Sequence, residues 1–285
     1  MTERATLSTE EFSQFCDFFY KKTGIRFGAQ KRYFVDKRIL DRMKASKSRC
    51  FHSYLRDLRL ETDARELQTL IDAMTVNETY FFRETEQLDT MISTLLPEAV
   101  QGRPQGSTVR IWSMPCSTGE EPYGIAIKLL EDWDAVDRFD ISIFGSDIDS
   151  QVIQRARKGI YSARSVDKIP SEVRKRYFRT LPDGSHQIIE ELRESIDFQK
   201  ANALDRRAMG RFIDMDFVFC RNMLIYFDDV SRRKTLDAIY DALRPGGHLF
   251  LGASESMGRS TNLFEVRKID GRVAYRKPIG ERERQ

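Results

Sequence analysis

Three short stretches concentrate the groups that could do chemistry. The first is Cys116-Ser-Thr-Gly119-Glu-Glu-Pro122, just after an apolar run. Its glycine allows a tight turn and close backbone approach to a ligand, and its proline suits the first turn of a helix. The stretch is neither G-x-G-x-x-G nor a P-loop. Glu120 and Glu121 at a helix start repel a pyrophosphate and favour an amine or sulfonium. A helix N-terminus with favourable acidic residues accounts for the same letters. The second is Asp147, roughly 30 residues further on, at the end of a second predicted strand. An acid there accepts both hydroxyls of a ribose. It is also a possible helix N-cap, for which Asp149 is better placed. The third is Cys220-Arg-Asn-Met-Leu-Ile-Tyr-Phe227. Here Asn222 falls where a buried strand meets a cleft, and Tyr226 either lines the substrate side or is, like Phe227, a core aromatic. Nucleoside binding without a phosphate cradle points to S-adenosylmethionine rather than NAD.

The elements that position these groups fall into two textures. Residues 8–75 predict helix after helix. Ser8 and Glu11 form a capping box, Phe12, Phe15, Cys16 and Phe19 follow at helical spacing, and Gly24 closes the first helix. Further helices are predicted over about 30–47, 51–60 and 63–75. The segment 76–97 bridges the halves, with a helix from about 84 to 95 that stops before Pro97. From 108 onward strands alternate with helices: strands at 109–113, 141–145, 196–199, 217–220 and 248–252, helices at 121–132, 149–157 and 229–243. An Asp270-Gly271 turn predicts a closing hairpin. This pattern implies a parallel sheet covered on both faces with an antiparallel hairpin at its edge.

Composition narrows the classes. Hydrophobic residues are 40% and aromatics 11%, enough for a true core, and 47 Lys+Arg nearly cancel 44 Asp+Glu to leave +3. Disorder and a basic nucleic-acid coat are both disfavoured. Cys16, Cys50, Cys116 and Cys220 form no C-x-x-C pair, and His52, His186 and His248 are far apart, so no metal centre is expected. No apolar run approaches the roughly 20 residues of a membrane span, and the first residues lack an apolar signal segment. The expectation is a cytoplasmic chain.

Five stretches in order resemble the chemotaxis-receptor methyltransferase (CheR) family: Thr75-Val-Asn-Glu-Thr-Tyr-Phe-Phe-Arg83, Ser117-Thr-Gly-Glu-Glu-Pro-Tyr123, Gly145-Ser-Asp-Ile-Asp149, Ala156-Arg-Lys-Gly-Ile-Tyr161 and Cys220–Phe227. The resemblance runs from about residue 8 to 277. It implies an α/β fold: a Rossmann-like class I methyltransferase domain (108–280) with an N-terminal all-helical substrate-docking domain (1–76), a linking segment (77–107), and a small inserted β-subdomain at about 170–198. It implies S-adenosylmethionine as cofactor, S-adenosylhomocysteine as product, and glutamate side chains on the cytoplasmic methylation helices of chemoreceptors as substrate.

Residue by residue, the resemblance places Asn77, Thr79 and Arg83 at the cofactor's methionine end, Glu121 (and, in second place, Glu120) at the first turn, and Asp147 on the ribose. It puts Asn202 and Ala203 near the adenine, with Ala where the family has Leu, and Asn222 and Met223 at the fourth strand. Arg83 and Tyr226 match residues beside the transferred methyl and are the catalytic candidates. A glutamate carboxylate ordinarily titrates at about pH 4.3, which leaves it anionic at neutral pH. Positioning and desolvation therefore carry the rate, without a general base.

Residues 20–60 hold 13 Lys/Arg against three Asp/Glu. Lys31, Arg38 and Arg42 share one stripe of a predicted helix, beside the apolar stripe Val35, Ile39 and Met43. Such a stripe is commonly a solvated face. Given the resemblance, it is expected to dock the acidic receptor helix. Nucleic acid is not expected there, because no stacking aromatics accompany the charge. Some members of the family bind a receptor C-terminal pentapeptide through a longer, glycine-richer loop than 177–198, whose single glycine is Gly184; independence from that tether is expected, as is a monomer. Two alternatives remain: a same-fold methyltransferase acting on another substrate, disfavoured for bases by the lack of an Asn/Asp-Pro-Pro-aromatic motif, and a non-catalytic cofactor-sensing protein, disfavoured by Arg83, Asp147 and Tyr226.

Overall fold

The computed structural model describes residues 6–257 and 263–280. Four helices open the chain: α1 (Thr9–Thr23), α2 (Arg32–Ala45), α3 (Phe51–Arg59) and α4 (Ala64–Met74), with a 3-10 turn Ala29–Lys31 before α2. The predicted capping box is present, Ser8 Oγ accepting from the Glu11 amide and Glu11 accepting from the Ser8 amide. Gly24 ends α1 at φ 76. A Cβ there would meet Leu204 Cδ1 at 2.7 Å, so both the turn and the close approach of the following domain require glycine. Phe15, Phe19, Val35, Ile39, Leu55 and Leu70 are buried together in the helical core, and Met43 packs against it.

The linking helix departs from expectation. It runs as α5 (Thr85–Thr90), a π-helical turn Met91–Leu95 and α6 (Leu96–Val100), passing through Pro97 instead of stopping before it. In the π turn the Leu96 amide donates to the Met91 carbonyl. Pro97 then falls in the first turn of a renewed helix, where its missing N–H costs nothing.

The strands are β1 (Thr108–Ser113), β2 (Asp140–Asp147), β3 (Ile160–Tyr161), β4 (Phe178–Thr180), β5 (His186–Ile188), β6 (Ile196–Lys200), β7 (Met215–Cys220), β8 (Leu243–Leu251), β9 (Glu265–Ile269) and β10 (Arg272–Arg276). Seven form one sheet in the order β6-β2-β1-β7-β8-β10-β9. Its first five strands are parallel, and the β9–β10 hairpin adds antiparallel to β8. The helices between are α7 (Glu120–Asp132), α8 (Ser150–Lys158), α9 (Ser171–Tyr177), α10 (Glu190–Glu194), α11 (Arg206–Met209) and α12 (Asp229–Ala242). Alternation sorts the side chains. Ile111, Phe217, Phe219 and Phe250 enter one core, while Trp112, Val218, Cys220, Leu249 and Leu251 enter the other, as the two-residue period of a strand requires.

The small second sheet has the order β3-β5-β4. It begins at Ile160, upstream of the expected 170, and residues 196–200 belong to the main sheet rather than to the insert. Phe81 joins it to the linking segment, its ring edge-on to Tyr161 at 4.8 Å and to Phe178 at 5.2 Å. The helical domain is latched to the sheet domain by backbone pairing. Ile25 bridges Phe227, and the Arg26 amide donates to the Tyr226 carbonyl at 3.2 Å.

Candidate cofactor and substrate site

The order β2-β1-β7 reverses direction at β1, and such a switch point leaves a crevice beyond the strand ends. A cavity of about 400 Å³ lies there, walled by the ends of β1, β2 and β7, the 74–83 segment, residues 201–203 and 221–227, and residues 25–34 of the helical domain. Gly119, at φ 95, turns the chain into α7. A Cβ on it would stand 3.0 Å from that of Ala156.

Two buried carboxylates, Glu120 and Asp147, and the half-buried Glu121 face this crevice. Glu120 accepts from Thr118 Oγ1 at 2.6 Å and Ser165 Oγ at 2.9 Å. Glu121 accepts from Ser113 Oγ at 2.7 Å and lies 3.2 Å from Arg221 Nη1. Asp147 takes the Ser117 and Asp149 amides, one on each oxygen, both at 2.9 Å. Burial pushes all three carboxyls up, Asp147 to about 6. Each Asp147 oxygen keeps a lone pair for a further donor.

This donor set suits a cationic nucleoside: acceptors for hydroxyls at Asp147, acidic charge at Glu120 and Glu121, and no phosphate cradle. Residues 77–273 match the family described as CheR methyltransferase, SAM binding domain, and residues 10–75 match CheR methyltransferase, all-alpha domain. The chain belongs to the CheR methyltransferase family. It is 47% identical over 272 residues to Chemotaxis protein methyltransferase 2 of Vibrio cholerae serotype O1, covering 95% of this chain and 94% of that relative. It is 34% identical to the Chemotaxis protein methyltransferase of Salmonella typhimurium (96% and 92% covered) and 31% identical to that of Borreliella burgdorferi (90% and 92%). As a CheR-family member it is an S-adenosylmethionine-dependent methyltransferase with a Rossmann-like catalytic domain.

The CheR cavity gathers the residues singled out in the sequence. Asn77, Thr79, Arg83, Glu121, Asp147, Asn202, Ala203, Asn222, Met223 and Tyr226 all line it, together with Glu120 and Lys31. Two of their side chains are spent otherwise than expected. Asn77 Nδ2 donates to Asp149 Oδ2 at 2.7 Å and to Thr75 Oγ1 at 3.2 Å, so its amide holds the linking segment in place. Asn202 Nδ2 donates to the Lys22 carbonyl at 2.7 Å and its Oδ1 accepts from the Leu204 amide at 3.0 Å; that side chain latches the two domains. Arg83 Nη1 donates to the Glu78 carbonyl at 3.2 Å, and Tyr226 is 37% exposed at the mouth.

The basic stripe is divided. Lys31 is exposed on the cavity rim. Arg38 instead donates through Nε to the Ala73 carbonyl at 2.5 Å and stacks 3.4 Å over the Phe34 ring. Arg42 pairs bidentately with Glu66, its Nε 3.0 Å from Oε1. Those two guanidiniums tie α2 to its own domain, which corrects the expectation that they stand free for docking.

Sequence reasoning missed Glu255, whose Oε2 accepts from the Asn222 amide at 2.7 Å and the Gly252 amide at 2.9 Å. It holds Asn222 at φ 59. The only signal was an acid three residues after a glycine at a strand end. Asp149, expected as a helix cap, does more than cap. It caps α8 through Oδ1 and also receives Thr75 Oγ1 at 2.6 Å through Oδ2. No helix among the described residues is long and apolar enough to cross a membrane.

Proposed function

We propose that this enzyme methylates glutamate side chains on the cytoplasmic methylation helices of chemotaxis receptors, giving glutamyl methyl esters. The observation that carries this reading is the sign of charge at the cavity. Its less exposed lining holds the carboxylates Glu120, Glu121 and Asp147, whereas its more exposed lining holds three cations, Arg26, Lys31 and Arg83, against one acid, Glu78. A carboxylate substrate entering from the exposed side meets a net positive lining first. The relatives' names, all chemotaxis protein methyltransferases, support the same partner.

When bound, S-adenosylmethionine supplies an electrophilic methyl group on a sulfonium. Asp147 would accept from its ribose, Ala203 would lie on the adenine side, Thr79 and Arg83 would border its methionine end, and Glu121, Asn222 and Met223 would add contacts from the first turn and the fourth strand. Arg83 orients the incoming carboxylate by charge-assisted hydrogen bonds, and the Tyr226 hydroxyl fixes its angle. A tyrosine hydroxyl ordinarily titrates at about 10 and is protonated at neutral pH, and partial burial shifts Tyr226 further up, so it can act as a donor. No histidine lines the cavity, and none is needed, because the nucleophile is anionic before it arrives.

The enzyme is proposed to act as a cytoplasmic monomer and without a receptor pentapeptide. The insert supports the latter: β4 and β5 are joined by the short 181–185 loop, closed by the Leu181 amide on the Ser185 carbonyl. The deciding experiment transfers labelled methyl to purified receptor. Label released by mild alkali identifies a carboxyl ester; alkali-stable label would refute the glutamate reading. Equal rates on receptors with and without a C-terminal pentapeptide are expected, and tight peptide binding by calorimetry would overturn that independence.

A further inference from the structure

The turn that carries Arg83 is strained. Phe82 at φ 58 and Glu84 at φ 53 both adopt the left-handed conformation without being glycine, which persists only where the surroundings impose it. One side chain reaches this turn from the strand ends. Arg221 follows β7 and is 5% exposed. Its Nη2 donates to the Arg83 carbonyl and lies 3.6 Å from Glu84 Oε2. Its Nη1 lies 3.2 Å from Glu121 Oε2, in the cofactor wall. Its Nε is buried and unpaired, an arrangement that is costly to keep for stability alone.

We propose that Arg221 is a positioning residue that couples the cofactor wall at Glu121 to the turn carrying Arg83. One guanidinium is shared between two carboxylates, Glu121 through Nη1 and Glu84 through Nη2, and Glu84 Oε2 also accepts from the Ala253 amide at 3.1 Å. The α-ammonium of the ligand, which S-adenosylhomocysteine shares with S-adenosylmethionine, would weaken that side of the share when held against Glu121 and repel Arg221 toward Glu84 and the Arg83 carbonyl. The turn then tightens, so cofactor occupancy sets Arg83 before the substrate carboxylate arrives. A lysine cannot substitute, because a point charge lacks the fork that spans both partners. The inference rests on the proposed role of Arg83, and its first test needs no turnover.

Hydrogen exchange of residues 80–88 is measured with and without S-adenosylhomocysteine, whose affinity is followed by calorimetry. In the wild type the ligand is expected to slow exchange about tenfold or more, and in Arg221→Met less than about threefold. Glu84→Gln leaves the cofactor wall intact and keeps the test open if Arg221→Met fails to fold. It should lose the same ligand-dependent protection with the affinity unchanged. On receptor, Glu84→Gln should lower kcat about tenfold at constant KM, and the double variant should be no worse than Arg221→Met. Full ligand-dependent protection in Arg221→Met, or additive losses in the double variant, would overturn the coupling. If wild-type enzyme methylates no receptor, the exchange data still judge Arg221, and only the substrate reading fails.

Discussion

The cavity at the strand ends and the basic face of α2 both hold charged residues at suggestive spacing, yet they are built differently. In the cavity, protein donors satisfy part of each carboxylate and leave further acceptor capacity unpaired by the protein. On α2, the protein uses up the charges: Arg42 on Glu66, Arg38 on the Ala73 carbonyl and the Phe34 ring. A charged group becomes a binding group when its fold leaves it unfinished. Spacing along a helix identifies a face but not whether that face is already paired.

The largest effect is expected at Arg83. Arg83→Ala should lower receptor methylation roughly 100- to 1,000-fold, with the melting temperature near wild type and a much smaller loss of S-adenosylhomocysteine affinity. Steady-state kinetics beside calorimetry checks this. Near-normal turnover in a folded Arg83→Ala protein would remove the cavity's claim to the chemistry.

Next is Arg42, where the comparison predicts damage to folding instead of docking. The pair is mostly buried, with Arg42 24% and Glu66 15% exposed, and Tyr54 also donates to Glu66 Oε1 at 2.7 Å. Arg42→Ala leaves that carboxylate with the tyrosine alone and should cost about 1–3 kcal/mol in urea unfolding. Unchanged stability with weakened receptor binding would restore Arg42 as a docking residue.

These cases show what the sequence could and could not convey. The motifs around the cavity are legible because backbone geometry pins them: Gly119 at φ 95, Asn222 at φ 59, Asp147 at a strand end. The sheet was legible from its alternation, and the hairpin from Asp270-Gly271. The partners of Asn77, Asn202, Arg38 and Arg42 were not, because each lies on another segment brought near only by folding. Asn202 meets Lys22 across 180 positions of chain, and no local pattern encodes that. Pro97 misled because a π turn resets the helix, a feature without a residue signature.

A smaller effect separates the acidic depth from ordinary surface charge. Burial raises the Asp147 carboxyl from 3.8 to about 6. With the folded value above the unfolded one, this group favours the cofactor-free fold below about pH 4 and loses that contribution as pH rises through 6. Ligand binding runs the other way, because the ribose needs the anion. Affinity for S-adenosylhomocysteine should therefore fall about tenfold per unit below pH 6, and Glu120 and Glu121, also raised by burial, add to the same trend. Calorimetry at pH 7.5, 6 and 5 tests it, and a flat affinity would mean that Asp147 does not hold the nucleoside.

The smallest effect belongs to Lys31, the one member of the stripe left exposed on the rim. Its ammonium acts through water at the cavity mouth, so its attraction for an acidic helix is screened over about 10 Å at 0.1 M salt. Lys31→Glu should weaken receptor binding about three- to tenfold at low salt, with the difference nearly gone at 0.5 M and the melting temperature unchanged. That outcome is the mirror image of the one expected for Arg42→Ala, which changes stability and is indifferent to salt in binding. If Lys31→Glu leaves binding untouched at every ionic strength, the cationic rim does not steer the substrate, and the contrast between a finished helix face and an unfinished cavity narrows to the cofactor alone.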